Sequence, residues 1–374
     1  MLRRRILQKI RSGVIIIGAM TLAVSFPLLL LPVTAAEKDD DIGNNDIGDG
    51  YNYYEKYPGG GCSKSEYRQV ETIPVENVLR EGQKLFGDTG KRSPFFPCWL
   101  DLELFRTGQK FARDNYGQVS FAHMLGIISL LANEQSRRIL YSTHRSNTPE
   151  KSLKRYTATA LHVYIWYNMD IFSPTWVKSV RNIRHIHRGV SAYMGSLYGN
   201  NATAYRATKN VRKEEEAEYT PDEDLWKAFE LDLASSKYGR LMRNQSLFRD
   251  NSTFKHDPKH LYNQYLMSLT QWSFVALPIL FPEEITIPRW TDKELLGYAH
   301  LWAVISYVLG MDERYILCKN PKDLQGCKKY LRDMLEMYLI PSLFNMDFQG
   351  KVLIESLLSV SNFLCILMGQ PRRL

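Results

Sequence analysis

Thr148-Pro-Glu-Lys-Ser-Leu-Lys-Arg155-Tyr-Thr-Ala-Thr159-Ala-Leu-His162-Val-Tyr-Ile-Trp166, then Ser173-Pro174 and Val180-Arg-Asn-Ile-Arg184-His-Ile-His187-Arg-Gly-Val190, predicts two helices in succession. Each opens on a hydroxyl residue followed by proline. The hydroxyl can accept a bond from an orphan N–H, and proline is pre-set for the first helical position. Arg155, Thr159, His162 and Trp166 fall at i, i+4, i+7 and i+11, so they share one face of the first helix. On the second, Val180, Ile183, His187, Val190 and Met194 form one stripe at helical spacing, while His185 points to the polar side with Arg181, Asn182 and Arg188. A buried imidazole without a partner costs roughly 1–3 kcal/mol, so His187 needs either an internal acceptor or a metal. From spacing alone, a hydrogen-bonded core histidine is the plainer reading, and a salt bridge is the plainer reading of Arg155.

Outward from this pair, helix signals continue. Asp101 to Asn115 and Phe121 to Tyr141 predict helices, with His123 on the second as either a core residue or a distal-side group. Thr220-Pro221, Asp257-Pro258 and the capping box Thr291-Asp-Lys-Glu294 are further starts. Alternating strand patterns are nearly absent. The expectation is an all-α fold, a single helical domain of one or two lobes over residues 95–374, large enough to enclose a cofactor. The apolar segment Val352 to Met368, interrupted by Glu355, Ser356 and Asn362, predicts a core helix, with docking on a membrane surface as the alternative.

Residues 1–36 have the pattern of a signal peptide, with an uncleaved signal anchor as the alternative. Arg3, Arg4, Arg5, Lys9 and Arg11 precede an uncharged apolar run from Val14 to Val33, and Val33-Thr-Ala-Ala36 supplies small residues for cleavage. This segment holds five basic and no acidic residues, so the net charge of +8 falls to +3 without it. Such a balance gives no case for nucleic-acid binding. Residues 37–94 are expected to form a flexible acidic, Gly-rich arm. Cysteines in a secretory context invite disulfides, Cys318 with Cys327 and Cys62 with Cys98, leaving Cys365 as a buried thiol. Sequons at Asn201, Asn244 and Asn251 suit passage through the ER, to a secreted or lumenal destination.

At Arg155-Tyr-Thr-Ala-Thr159-Ala-Leu-His162-Val and Val180-Arg-Asn-Ile-Arg184-His-Ile-His187-Arg-Gly-Val190, the chain resembles the two signature segments of the superfamily of rubber oxygenases and fungal ER-bound mpaB-type oxygenases. Gly297-Tyr-Ala-His-Leu-Trp302 through Leu309-Gly310-Met-Asp312 is similar to that family's later helix, and Arg106-Thr-Gly108 to its opening segment. The resemblance spans most of residues 95–340, nearest to arthropod members. It implies a helical fold around haem b, with the iron held by a histidine at the position of His187. It also implies use of O2 to cleave or oxygenate an unsaturated isoprenoid or lipid-like substrate. Arg155 and Thr159 match residues near the haem; Arg184, one turn before His187, is expected to pair with a haem propionate, and His162 to lie beside the cofactor. The chain departs from rubber oxygenases at Ala158, where they carry a lysine, and Glu134 is the nearest acidic residue to their proposed catalytic glutamate. A secreted haem or lipid carrier without catalysis is the alternative.

Other chemistries find little support. His256-x-x-x-His260 has zincin-like spacing, but no Glu follows the first His. No nucleophile elbow, Walker loop or dinucleotide fingerprint is present.

Overall fold

The computed structural model describes residues 70–91, 95–199, 218–239, 259–320 and 322–367, with side chains as far as 359. The targeting segment, the arm as far as residue 69, Cys62, the three sequons, His256 and the side chain of Cys365 lie outside those residues. Within them the fold is all-α, as expected. The elements are α1 (Val75–Gly82), α2 (Leu102–Asp114), α3 (Tyr116–Ala132), α4 (Glu134–Ser142), α5 (Pro149–Asn168), α6 (Pro174–Tyr198), α7 (Glu223–Ser235), α8 (Gln264–Leu280), α9 (Asp292–Val308), α10 (Leu324–Met334), α11 (Ile340–Phe344) and α12 (Phe348–Leu367). A single antiparallel bridge, Phe86 with Asn263, is the nearest approach to a sheet among the described residues.

Three of the helix starts legible in the sequence are made as expected. Thr148 accepts from the Lys151 N–H, Ser173 from the Trp176 N–H, and Thr291 with Glu294 closes a capping box. The helix expected from Phe121 to Tyr141 instead breaks at Asn133. That residue is extended and its side chain accepts from the Ser136 N–H, so it caps α4 rather than continuing α3. The start expected at Thr220-Pro221 shifts, with Asp222 and not Thr220 capping α7, and the one expected at Asp257-Pro258 is not made: residues 259–263 are non-helical and α8 begins at Gln264, where the Asn263 side chain accepts from the Leu266 N–H.

α8 and α9 are apolar nearly all round and lie at the centre of the molecule. Two close crossings seat their neighbours. A Cβ on Gly108 of α2 would stand 2.1 Å from the Gly297 carbonyl oxygen of α9, and one on Gly126 of α3 would stand 1.9 Å from the Ser273 carbonyl oxygen of α8. Only glycine permits these contacts. Pro278, inside α8, has no N–H to give the Phe274 carbonyl, and the Tyr298 hydroxyl of α9 donates to that oxygen at 2.8 Å instead.

The flexible-arm expectation for residues 37–94 is corrected for its last third. Residues 70–91 are built into the fold: Val75 and Val78 are buried, the Tyr338 and Tyr330 hydroxyls donate to the Val75 and Ile73 carbonyls, and Lys319 Nζ donates to the Val70 carbonyl. The acidic, Gly-rich composition of residues 37–61 does not extend into this stretch, whose valines and leucine give α1 an apolar face. In α12, Val352, Leu353, Ile354 and Leu357 are core residues, and Glu355 accepts from Trp226 Nε1 (2.5 Å), the Asp222 N–H (2.8 Å) and the Tyr219 hydroxyl (2.9 Å). The carboxylate in this apolar helix thus fastens α7. Cys318 and Cys327 are bonded as expected. Cys98 is also disulfide-bonded, to a partner outside the described residues. No described helix is long and apolar enough to cross a membrane.

Candidate functional site

α5 and α6 form an antiparallel hairpin through the short connection at residues 169–173. His162 Nδ1 lies 2.8 Å from Ser179 Oγ across it, and this contact fixes the register. Since both helices rise equally per residue, counting equally from that pair sets Thr159 opposite Asn182 and Arg155 opposite Ile186, with Ile183 and His187 next along, and the Arg155 charge acts on the His187 ring. The residues picked out by helical spacing therefore face one another in one cleft. Arg155, Thr159, His162, Ile183, His187 and Val190 are all half-buried along it, while His185 is exposed.

His187 has an unusual position. Its Nδ1 is closed off from solvent with no hydrogen-bond partner, and its ring lies 5.5 Å from that of Tyr262. Burial pushes its pKa down to about 4, the Arg155 charge adds to that, and Asp88 partly opposes it. The imidazole is neutral at ordinary pH, the state in which a ring nitrogen can bind a metal. The Arg155 side chain forms no hydrogen bond or ion pair among the described residues, whereas a salt bridge is its plainer reading from the sequence. The Thr159 hydroxyl donates to the Arg155 carbonyl at 3.1 Å, one turn back, which leaves its oxygen able to accept.

Two of the expected site residues are committed elsewhere. Arg184 was assigned a haem propionate, but it holds Asp88 in a two-point bond (Nε–Oδ2 2.8 Å, Nη2–Oδ1 2.6 Å) and donates to the Lys91 carbonyl at 2.8 Å. A carboxylate of the protein already fills its fork. Arg188 Nε shares the same Asp88 at 2.5 Å, and Gly310, with φ of 98°, packs so close that a Cβ there would stand 2.5 Å from Asp88 Oδ1. Burial resists ionisation of Asp88, but the bonds from Arg184, Arg188 and the Gly90 N–H outweigh it and hold the carboxyl below its ordinary range. His162 is likewise occupied at Nδ1. Ser179 Oγ also accepts from Trp166 Nε1 at 2.9 Å, and the hydroxyl is buried. The pair has the partners of a nucleophile and base, yet an indole N–H on the oxygen lowers its nucleophilicity and burial denies it a substrate.

Asp88 and Tyr262 escaped the sequence reading. Asp88 lies in the stretch assigned to the arm, where Asp88-Thr-Gly90 is a turn signal that went unused. Nothing local marks Tyr262. Glu134, the acidic candidate, is paired with Arg138 on α4.

A second polar cluster lies in the core. His123 Nε2 is 2.8 Å from the Tyr298 hydroxyl and 3.2 Å from the Tyr167 hydroxyl; the two hydroxyls are 3.3 Å apart, and Trp302 Nε1 donates to Tyr167 at 3.2 Å. His123 is therefore the core residue of its two readings, and burial pushes its pKa down to about 3.

Of two described cavities, one is an open groove of about 540 Å³ beside Glu103, Arg106, Lys110 and Glu294, and the other a space of about 10 Å³ beside Arg184 and Tyr307. Neither is lined by His187. No cluster of three or more His, Cys, Asp or Glu side chains able to hold a metal ion occurs among the described residues; a haem iron asks only one histidine of the protein. No family model, curated protein or solved structure matches this chain.

Proposed function

We propose that the chain is a haem-dependent oxygenase of an unsaturated isoprenoid or lipid-like substrate, with His187 as the ligand to the iron of haem b. The observation that carries this reading is a neutral, secluded imidazole with no hydrogen-bond partner among the described residues, acted on by the charge of an arginine that no described residue pairs, with apolar side chains beside both. His260 and the buried His300 also leave Nδ1 unpaired, but His300 Nε2 accepts from the Asp101 N–H and the His260 ring stacks on Phe86, whereas neither ring nitrogen of His187 has a hydrogen-bond partner among the described residues. Haem, when bound, would supply the activation of O2. The residues of the chain do the rest. His187 keeps a lone pair available above about pH 4, because burial and Arg155 disfavour its protonated form. Arg155, on the facing helix, presents guanidinium donors that no described residue occupies. Ile183 and Val190 give the cleft hydrocarbon walls that exclude water and suit an alkene. Exposed Leu161, Ile186, Tyr193 and Leu197 beside it suit a substrate delivered from a lipid surface in the secretory pathway.

A carrier without catalysis is the second reading. It is favoured by Ala158, exposed where rubber oxygenases have lysine, and by Glu134 being held by Arg138, which together leave the cleft without an evident group to move a proton. The test begins with the absorption spectrum of the mature protein, made in a secretory host with haem precursor, beside His187→Ala. The expected result is a Soret band in the first and none in the second. Equal haem content in both sinks the assignment of His187. Product from unsaturated isoprenoids under O2 then separates oxygenase from carrier.

A further inference from the structure

An unbroken line of aromatic contacts leads from the α5–α6 cleft into the core. Trp166 is tied to the cleft through Ser179, which lies eight residues before His187 and hence about 12 Å from it along α6. The Trp166 and Trp302 rings are edge to face with centroids 6.0 Å apart. Trp302 Nε1 then donates to Tyr167, and beyond it stand Tyr298 and His123 at the distances given above. In the tautomer of His123 that carries its proton on Nδ1, the bonds run head to tail: Trp302 to Tyr167, Tyr167 to Tyr298, Tyr298 to His123 Nε2. The Phe274 carbonyl, freed by Pro278, offers the Tyr298 proton a second acceptor at the same 2.8 Å. Tryptophan and tyrosine are the side chains most easily oxidised by one electron in this series, and a phenol can give up its electron only if its proton has somewhere to go.

We propose that Trp166, Trp302, Tyr167 and Tyr298 form an electron relay that lets a strong one-electron oxidant in the α5–α6 cleft be reduced from the core, with His123 taking the phenol proton. The relay rests on the oxygenase reading for its natural oxidant, a haem oxidised by O2 or peroxide. Each step balances. Trp166 gives one electron to the oxidant and becomes a radical cation, and Trp302 refills it. Tyr167 refills Trp302 while its O–H proton is held by Tyr298. Tyr298 refills Tyr167, its O–H bond breaks and an N–H bond forms at His123, leaving a neutral tyrosyl radical and an imidazolium. A phenol radical cation is so strong an acid that even the weakly basic His123 accepts its proton. Such a path would spare the cleft residues whenever oxidant forms without substrate.

The test does not need haem. A thiol-reactive ruthenium polypyridyl photosensitiser is attached to the full chain at Ala158→Cys, an exposed position on α5, with labelling of the parent chain without that cysteine as the control for any native free thiol. Flash oxidation with a sacrificial electron acceptor should give a tyrosyl radical by electron paramagnetic resonance. Its yield should fall to background in Trp302→Phe and in Tyr298→Phe, and its formation should be slower in D2O, a slowing lost in His123→Phe. Circular dichroism verifies that each variant keeps its helices; if Tyr298→Phe unfolds, Trp302→Phe decides alone. An undiminished tyrosyl yield in folded Trp302→Phe overturns the relay. Because the Soret test on unlabelled protein is separate, a colourless protein with a working relay, or a haem protein without one, tells the two proposals apart.

Discussion

The two glycine crossings and the α5–α6 hairpin solve opposite problems. At Gly108/Gly297 and Gly126/Ser273, backbone meets backbone with no space for a methyl group, and the polar atoms nearby are bonded in a network reaching from Phe274 to Trp302. In the hairpin the polar residues lie half-buried in line, with an arginine unpaired and a histidine nitrogen unsatisfied among the described residues. The first region lowers the energy of the folded chain. The second gives some of that up, and uncommitted polar groups beside apolar walls are what a ligand site requires. Stability and ligand binding are therefore carried by different helices, and substitutions should separate them.

The largest effect is expected at the crossings. Gly126→Leu drives side-chain atoms into the Ser273 carbonyl, so it should cost about 4 kcal/mol or more, or prevent folding, as measured by urea denaturation. Gly189, on the exposed side of α6 with nothing within 4 Å, is the control: Gly189→Ala should stabilise by up to about 1 kcal/mol. A severe loss at Gly189 would break the contrast.

Glu355→Ala should come next, at about 2–3 kcal/mol, because it strands the buried Trp226 N–H and frees the Asp222 N–H at the start of α7. Limited proteolysis should then find cuts within α7 before any in α8. Simultaneous cutting of both would show that α7 is not separately fastened.

The dependence on pH sharpens the comparison further. Burial pushes the pKa values of His123, His187 and His300 down to about 3, about 4 and about 4 from an ordinary 6.5. Below pH 6.5 the unfolded chain binds protons that the folded chain refuses. Their contribution is thus whole above pH 6.5 and declines as pH falls toward 4 and then 3, at up to about 1.4 kcal/mol per pH unit for each. Folding free energies measured between pH 7 and 4 should show that slope, and His300→Gln should flatten it by up to one proton's worth. An unchanged slope in that variant would place the titrating groups elsewhere.

The smallest stability change belongs to His187→Ala. Because no hydrogen bond is lost, the melting free energy should move by less than about 1 kcal/mol, even as haem retention, if the proposed function holds, disappears. A large destabilisation without haem would mark His187 as a core residue.

Much of the fold was legible because it is local. Thr148, Ser173 and Thr291 accept bonds from N–H groups three residues on, so a start can be read without knowing the neighbours. The same holds for the shared face of Arg155, Thr159 and His162, fixed by the helix pitch, and for the loop closed by Cys318 and Cys327. What misled was also local in form. Asn133 sits inside an apolar pattern that reads as continuous, and residues 70–91 adjoin an acidic arm that hides them.

The sequence by itself determined that the chain is helical, where most helices begin, and that two of them carry polar residues on apolar faces. Only the tertiary structure decided what those residues do. Arg184 and Arg155 look equivalent along the chain, yet Asp88, nearly a hundred residues before Arg184, occupies one, and no described residue pairs with the other. His123, His162 and His187 are alike in sequence as histidines on helix faces; their partners are two tyrosines from α5 and α9, a serine across the hairpin, and none. The reason is that helix periodicity sets direction within a few residues, whereas hydrogen bonds and ion pairs are satisfied by whichever distant segment the packing brings within 3 Å.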